Sequence, residues 1–375
     1  MNDERGGRGE LKAIGYYHAL VPPEWIAAHG LRPRWIAPRS LGARSRVGTS
    51  RGVCPYAGAC VDAALDGAAS AGVVMTTTCD QMRYAAALVE QERRVPCFLL
   101  NVPSTWRTAE ASGLYREEVE RLGRFLVRRG GTAPTPAGLA RVMLEYDRAR
   151  SALLADRERL AARQFAESLM NVGLADATEG WDRAKGCRRQ AARVAGAPEG
   201  EERIALALVG GPFVAQDRAM LDRIERAGGR IVLNAADGGE RTMPAPFDRA
   251  RLEADPLGEL TRAYFDSIPH VFRRPNDGLY AWLGRKLAER EVRGIVFRRY
   301  VWCDLWHAEL DRLRRWSPVP VLDLDVADDD RSAGARATGR IEAFLETLRH
   351  VGRPAESRSS GETGKRIEPI GERPR

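Results

Sequence analysis

Lysine is nearly missing from this chain. Of its 59 basic residues only Lys12, Lys185, Lys286 and Lys365 are lysines, which leaves 55 arginines. The net charge of +8 invites a nucleic-acid reading, but no helix-turn-helix, zinc-finger or RNP pattern goes with it. The arginines also alternate with acids, as in Asp156-Arg157-Glu158-Arg159, the pattern of a solvated helix face. No nucleic-acid partner is expected. The bias toward arginine, beside abundant alanine and glycine, fits GC-rich coding.

Other absences exclude more. No apolar run approaches the ~18 residues of a membrane span; the most continuous strip, Ile204–Val209, has the length of a strand. The first ten residues hold neither an apolar segment nor a cleavage site, so a cytoplasmic protein without membrane contact is expected. There is no G-x-x-x-x-G-K-[ST] phosphate loop, so ATP hydrolysis, if involved, belongs to another protein. No C-x2-C pair occurs, although structural zinc sites usually draw on such pairs. No Asp or Glu lies between Glu24 and Asp62, which excludes a carboxylate base from that stretch.

What is present is enough for a large core. Hydrophobic residues make up 44% and charged residues 29% of 375, which rules out global disorder and suggests roughly two domains. Strand-length apolar runs alternate with helical periods. Strands are expected at Ala13–Tyr17, Leu31–Ile36, Gly72–Met75 and Val95–Val102, then at Ile204–Val209, Arg230–Asn234, Gly294–Tyr300 and Val319–Leu324. Helices are expected at Trp25–His29, Asp80–Arg94, Asp217–Ala227, Leu257–Phe265, Leu279–Glu289, Trp306–Trp316 and Ile341–Leu348. Between Gly113 and Gly173 the period is helical, broken by Pro134 and Pro136. The class is α/β with parallel sheets and sites outside the carboxyl ends of the strands. Four segments follow: an N-terminal α/β domain with a helical segment over 1–175, a joining region over 176–203, a second α/β domain over 204–350, and a disordered tail over 351–375.

Six cysteines in such a chain do not read as a disulfide framework. Cys97 falls within an apolar strand, where cysteine is usually a small core residue. Cys187 belongs to the polar joining region, and Cys60 to a helix that begins near Cys54. The other three differ. Cys54 ends a Gly-rich loop and precedes Pro55; Cys79 and Cys303 each follow a strand where a helix starts. A helix N-terminus favours thiolate over thiol, so these three could meet at a cleft between domains. Zinc and an iron–sulfur cubane with one open iron are both compatible with three thiolates. A set of reduced structural cysteines is the plain alternative.

Several phrases in order resemble the D-component subunits of the 2-hydroxyacyl-CoA dehydratase and benzoyl-CoA reductase family. They are Gly15-Tyr16-Tyr17 with Val21-Pro22-Pro23-Glu24; Cys54-Pro55-Tyr56; Thr77-Thr78-Cys79-Asp80 with Met82-Arg83; and Phe98-Leu99-Leu100-Asn101-Val102-Pro103. Glu225-Arg226-Ala227-Gly228-Gly229-Arg230 and Tyr300-Val301-Trp302-Cys303-Asp304 follow. The likeness spans about Lys12 to Arg349. It implies two flavodoxin-like halves with a [4Fe-4S] cluster in the cleft, bound by Cys54, Cys79 and Cys303. It also implies a homologous sister subunit in a heterodimer, an ATP-dependent iron–sulfur activator that supplies one electron, and an acyl-CoA substrate. The reaction would be one-electron reduction of the thioester with radical elimination of water, a lyase activity. A benzoyl-CoA reductase-type or other cluster-dependent reductase is the alternative, and a non-catalytic thiol or zinc protein a further one. The catalytic base is unassigned: His18 and His307 are the nearest titratable residues. Asp237-Gly238-Gly239-Glu240-Arg241 carries glycine where relatives often have another cysteine. The arginine-rich loop Arg39–Arg51, with Arg44, Arg46 and Arg51, is placed to meet coenzyme A phosphates.

Overall fold

In a computed structural model, residues 11–47, 52–67, 69–172, 203–327 and 333–351 are described. The joining region with Cys187, most of the tail and Arg51 lie outside them. Apolar runs of four to eight residues become eight strands: β1 (Ala13–Tyr16), β2 (Arg32–Trp35), β3 (Gly72–Thr76), β4 (Cys97–Leu100), β5 (Ile204–Gly210), β6 (Gly229–Ala236), β7 (Gly294–Tyr300) and β8 (Val321–Val326). All eight expected strands form, with no end more than two residues from its expected place and β7 matching at both ends. Val95-Pro96 stays outside β4, because proline has no N–H to give a ladder. Every strand pairing is parallel.

The sheets have the orders β2-β1-β3-β4 and β6-β5-β7-β8. Counted from the first strand of each half, the two orders are identical. In each, the first strand sits between the second and the third, so connections leave in opposite directions there and open a crevice at the strands' carboxyl ends. β3 and β7 are buried along their whole length, as parallel strands covered on both faces must be. Burial of a side chain such as Phe297, wholly enclosed, contributes roughly 1.5–3 kcal/mol.

Helices flank the strands: α1 (Pro23–Ala28), α2 (Pro55–Leu65), α3 (Asp80–Gln91), α4 (Ala109–Arg128), α5 (Pro136–Ala155) and α6 (Ala162–Asn171) in the first half. In the second are α7 (Ala219–Arg226), α8 (Arg249–Ala254), α9 (Pro256–Phe265), α10 (Asp277–Glu289), α11 (Asp304–Trp316) and α12 (Ala333–Val351). Pro136 opens α5 at its first turn, with the Thr135 hydroxyl accepting from the Gly138 amide, so the expected break is the start of a helix. The short α8 was not foreseen, and α12 begins eight residues before the expected helix. Among the described residues no helix is long and apolar enough to cross a membrane.

The halves are not packed separately. Phe247, Leu260, Phe265, Ile268 and Phe272, from the second half of the sequence, share a core with Ile14, Tyr115 and Leu122. Glu24 fixes this junction. It is wholly buried, accepts from Arg150 Nη1 at 2.5 Å, and accepts from the Tyr264 hydroxyl at 2.7 Å. One carboxylate thereby ties α1 to α5 and α9. Its place in the Val21-Pro22-Pro23-Glu24 phrase is structural.

Removing one partner of this buried pair leaves the other charge uncompensated. Arg150→Leu should therefore lower stability by about 3–5 kcal/mol, read as a fall in denaturant midpoint. An unchanged midpoint would show that Glu24 is not held as described.

Candidate functional site

The carboxyl ends of both sheets open onto one cavity of about 340 Å³. The chain reaches it from β1 with Tyr17 and His18, from β3 with Thr77 to Cys79, from β5 with Pro212, and from β7 with Tyr300, Trp302 and Cys303. It thus stands at the reversal point of each sheet. At the end of β5 the chain turns tightly: Gly210 has φ +146°, and a Cβ there would lie 1.8 Å from the Arg298 carbonyl oxygen. Only glycine fits beside β7 at that point.

Cys54, Cys79 and Cys303 all line this cavity. Each is also the residue that caps a helix: Cys54 for α2, with Pro55 at the first position, Cys79 for α3 and Cys303 for α11. Burial pushes their thiols up, Cys79 to about 11 and Cys303 to about 12. First-turn amides pull the other way: those of Ala57 and Tyr56 on Cys54, of Met82 and Gln81 on Cys79, and of Trp306 on Cys303. None closes a full capping hydrogen bond. Buried thiols facing free amides are suited to holding a cation as thiolates.

The three thiols sense one another's charge. Yet among the described residues no three His, Cys, Asp or Glu side chains surround a point that a single metal ion could occupy. Cys60 and Cys97 do not line the cavity. Cys60 is wholly buried on the core face of α2, and Cys97 begins β4 at the edge of the same core.

Arg298 lies in β7, 1% exposed. Its guanidinium donates to the Pro212 carbonyl at 2.6 Å, pairs with Asp217, and lies 3.9 Å over the Tyr300 ring. The Tyr300 hydroxyl donates to Asp217 at 2.6 Å and accepts from the Val214 amide at 2.9 Å. This cation also favours the thiolate of Cys54.

A second group faces the cavity from the other side. His18 and His270 bring their Nε2 atoms to 3.2 Å, and His270 Nε2 is 3.3 Å from Asp237 Oδ1. Asp237 also accepts from Arg241, which is wholly buried and donates to the Ala235 and Pro269 carbonyls. Burial alone would raise the Asp237 carboxyl, but Arg241 and His270 outweigh it and hold the group below the usual carboxylate range. Burial and the neighbouring His270 push His18 down to about 3, so its imidazole is neutral at pH 7.

Of the two expected histidines, the fold brings only His18 to the cavity. His307 is exposed on α11. Its place in the first turn, four residues past Cys303, sends it outward. His270, Asp237, Arg298 and Trp306 were not anticipated in the site. The Asp237–Arg241 phrase was a signal, since an Asp and an Arg four apart just after a strand are in reach of each other; His270 has no local signal. Among the described residues of the arginine loop, none lines this cavity. Arg46 pairs with Asp66 at 2.7 Å, and Arg39 lines another cavity with Arg34 and Arg218. Among the described residues, Arg83 is the arginine that lines the cysteine cavity.

Asp237→Ala leaves buried Arg241 without a counter-charge and should lower stability by about 3–5 kcal/mol, whereas Asp237→Asn, which keeps an acceptor, should cost less. Because the carboxyl is lowered in the folded state, its contribution is full above the ordinary carboxylate pKa and is lost as pH falls through the folded value. Denaturation midpoints at pH 7, where the contribution is full, and at pH 2.5, inside the window where it is being lost, check both statements. Equal losses for Ala and Asn would refute the assigned pairing.

No curated protein matches the chain. The family model described as 2-hydroxyglutaryl-CoA dehydratase, D-component, matches residues 18–348. That span takes in both sheets but for the first strand, all three cavity cysteines, and the His18–His270 pair. The chain therefore belongs to the 2-hydroxyglutaryl-CoA dehydratase D-component family.

Proposed function

We propose that this chain is the cluster-bearing component of a 2-hydroxyacyl-CoA dehydratase-type enzyme, with Cys54, Cys79 and Cys303 holding a [4Fe-4S] cluster. The observation that carries this reading is that three cysteines, each capping a different helix, line one cavity at the reversal points of both sheets. The donor set fits: three sulfurs spread round a cavity leave one iron for an outside ligand. Bound there, the cluster would supply one electron at low potential and a Lewis-acidic iron for a thioester oxygen.

The chain's own residues prepare the place. The first-turn amides and Arg298 offset the negative charge of three thiolates. Apolar Val271, Phe272 and Leu305 in the wall keep bulk water away from a reactive guest. Arg83, on the cavity rim and 3.7 Å from Asp80, is available to an anionic tail leaving the cavity. Val301 and Trp302 are 38% and 46% exposed beside Cys303. Apolar side chains standing free at such a mouth support a covering partner, the homologous sister subunit. The absence of a phosphate loop supports a separate ATP-dependent activator.

Anaerobically prepared chain should be brown and contain about four irons. Serine in place of Cys54, Cys79 or Cys303 should each cut the iron content, while Cys60→Ser and Cys97→Ser should leave it intact. Full iron in Cys303→Ser would overturn the ligand set. An electron-spin signal of the reduced protein that shifts on adding a 2-hydroxyacyl-CoA, but not free coenzyme A, checks the substrate class. Turnover by the chain alone, without sister subunit or ATP, would refute the division of labour.

A further inference from the structure

The histidine pair cannot satisfy itself. The Leu20 amide donates to His18 Nδ1 at 3.2 Å, and the Phe272 amide donates to His270 Nδ1 at 3.3 Å. Each Nδ1 is therefore an acceptor, and each neutral ring carries its hydrogen on Nε2. The His270 Nε2–H has an acceptor in Asp237 Oδ1 at 3.3 Å. The His18 Nε2–H meets only the Nε2 of His270, 3.2 Å away, whose in-plane lone pair is already occupied by hydrogen. Among the described residues His18 thus holds an N–H donor with no acceptor, at the wall of the cavity.

The other polar groups of the wall are largely committed. Tyr17 donates to the Cys60 carbonyl, Tyr56 to the Tyr17 carbonyl, Thr77 to Asn101 and Thr242 to the Gly239 carbonyl. Gln81 spends both ends of its amide on the backbones of Cys54 and Gly52. Apart from His18 the exception is Trp306, 2% exposed, whose Nε1–H has no partner among the described residues. The wall therefore presents unpaired donors, and a guest that brings an acceptor oxygen relieves a buried penalty as it binds.

We infer that neutral His18, set in its Nε2–H form by the Leu20 amide and the His270–Asp237 dyad, donates a hydrogen bond to a carbonyl oxygen of the guest in this cavity. In the cleft His18 polarises that oxygen without giving up its proton, as a neutral imidazole can. It acts as an electrophile rather than as a base. This rests on the acyl-CoA reading above and adds the group that recognises the thioester carbonyl.

The test compares two ligands on the cluster-loaded full chain: an acyl-CoA thioester, and the S-alkyl-CoA thioether that lacks only the carbonyl oxygen. Calorimetry should show His18→Phe weakening the thioester about three- to ten-fold, as one neutral hydrogen bond predicts, with the thioether unchanged. His18→Asn, which restores an N–H donor, should recover part of the loss. Ring nitrogen shifts in the wild type should show His18 neutral and protonated at Nε2 from pH 5 to 8. Equal weakening of both ligands, or of neither, overturns the role of His18 while the acyl-CoA reading stands. If the wild type binds neither ligand, the acyl-CoA reading fails and this inference falls with it. A His18 ring protonated at Nδ1 would refute the tautomer argument on its own.

Discussion

Everything at the site depends on one constraint of parallel sheets: a strand that ends must be followed by a helix that returns, and the helix starts at the strand's carboxyl end. Cys79 and Cys303 stand at that step after β3 and β7, and Cys54 stands at the start of α2. The same geometry that closes the fold therefore turns three helix N-termini toward one space. It concentrates free amides and sulfur there with no special motif. Three thiolates, as the proposed function requires, would be costly to bury, and these amides with Arg298 are the groups that favour the charged form.

The repeated strand order explains why one cavity is enough. Each sheet has a reversal point, and each alone would give an open crevice. Packing the stretch from Phe247 to Phe272 into the core of the first sheet sets the crevices face to face. Glu24, with Arg150 and Tyr264, holds that junction from within. His270 follows directly from it, being carried on the crossing stretch to meet His18 from β1. The histidine side of the cavity is thus a product of the junction, and the sulfur side a product of the strands.

The two sides divide the chemistry. The sulfur side is electron-rich and is balanced by amides and a buried guanidinium. The histidine side is neutral, since Asp237 is already matched by Arg241 and burial keeps His18 from protonating. In the function proposed above, a neutral donor is what a polarised carbonyl would need, because a fixed cation there would pair with cysteine thiolates instead.

The sequence by itself determined the strands and the cysteine trio. Runs such as Gly294–Tyr300 are short, apolar and punctuated, so periodicity finds them, and a cysteine placed where a strand gives way to a helix declares its position without any tertiary information. The family phrases are local too, and the match over residues 18–348 agrees with them. Tertiary structure alone decided the rest. His270 is 252 residues from His18, and nothing in Pro269-His270-Val271 marks it. His307, so close in sequence to Cys303, faces solvent because of where its helix turns. The arginines of 39–51 looked suited to phosphates by composition, but Arg46 is taken by Asp66 and Arg39 faces another cavity. Local pattern fixes which backbone a residue belongs to. Which side chains share a space depends on packing between elements far apart in the chain, and that information lies in no single stretch of it.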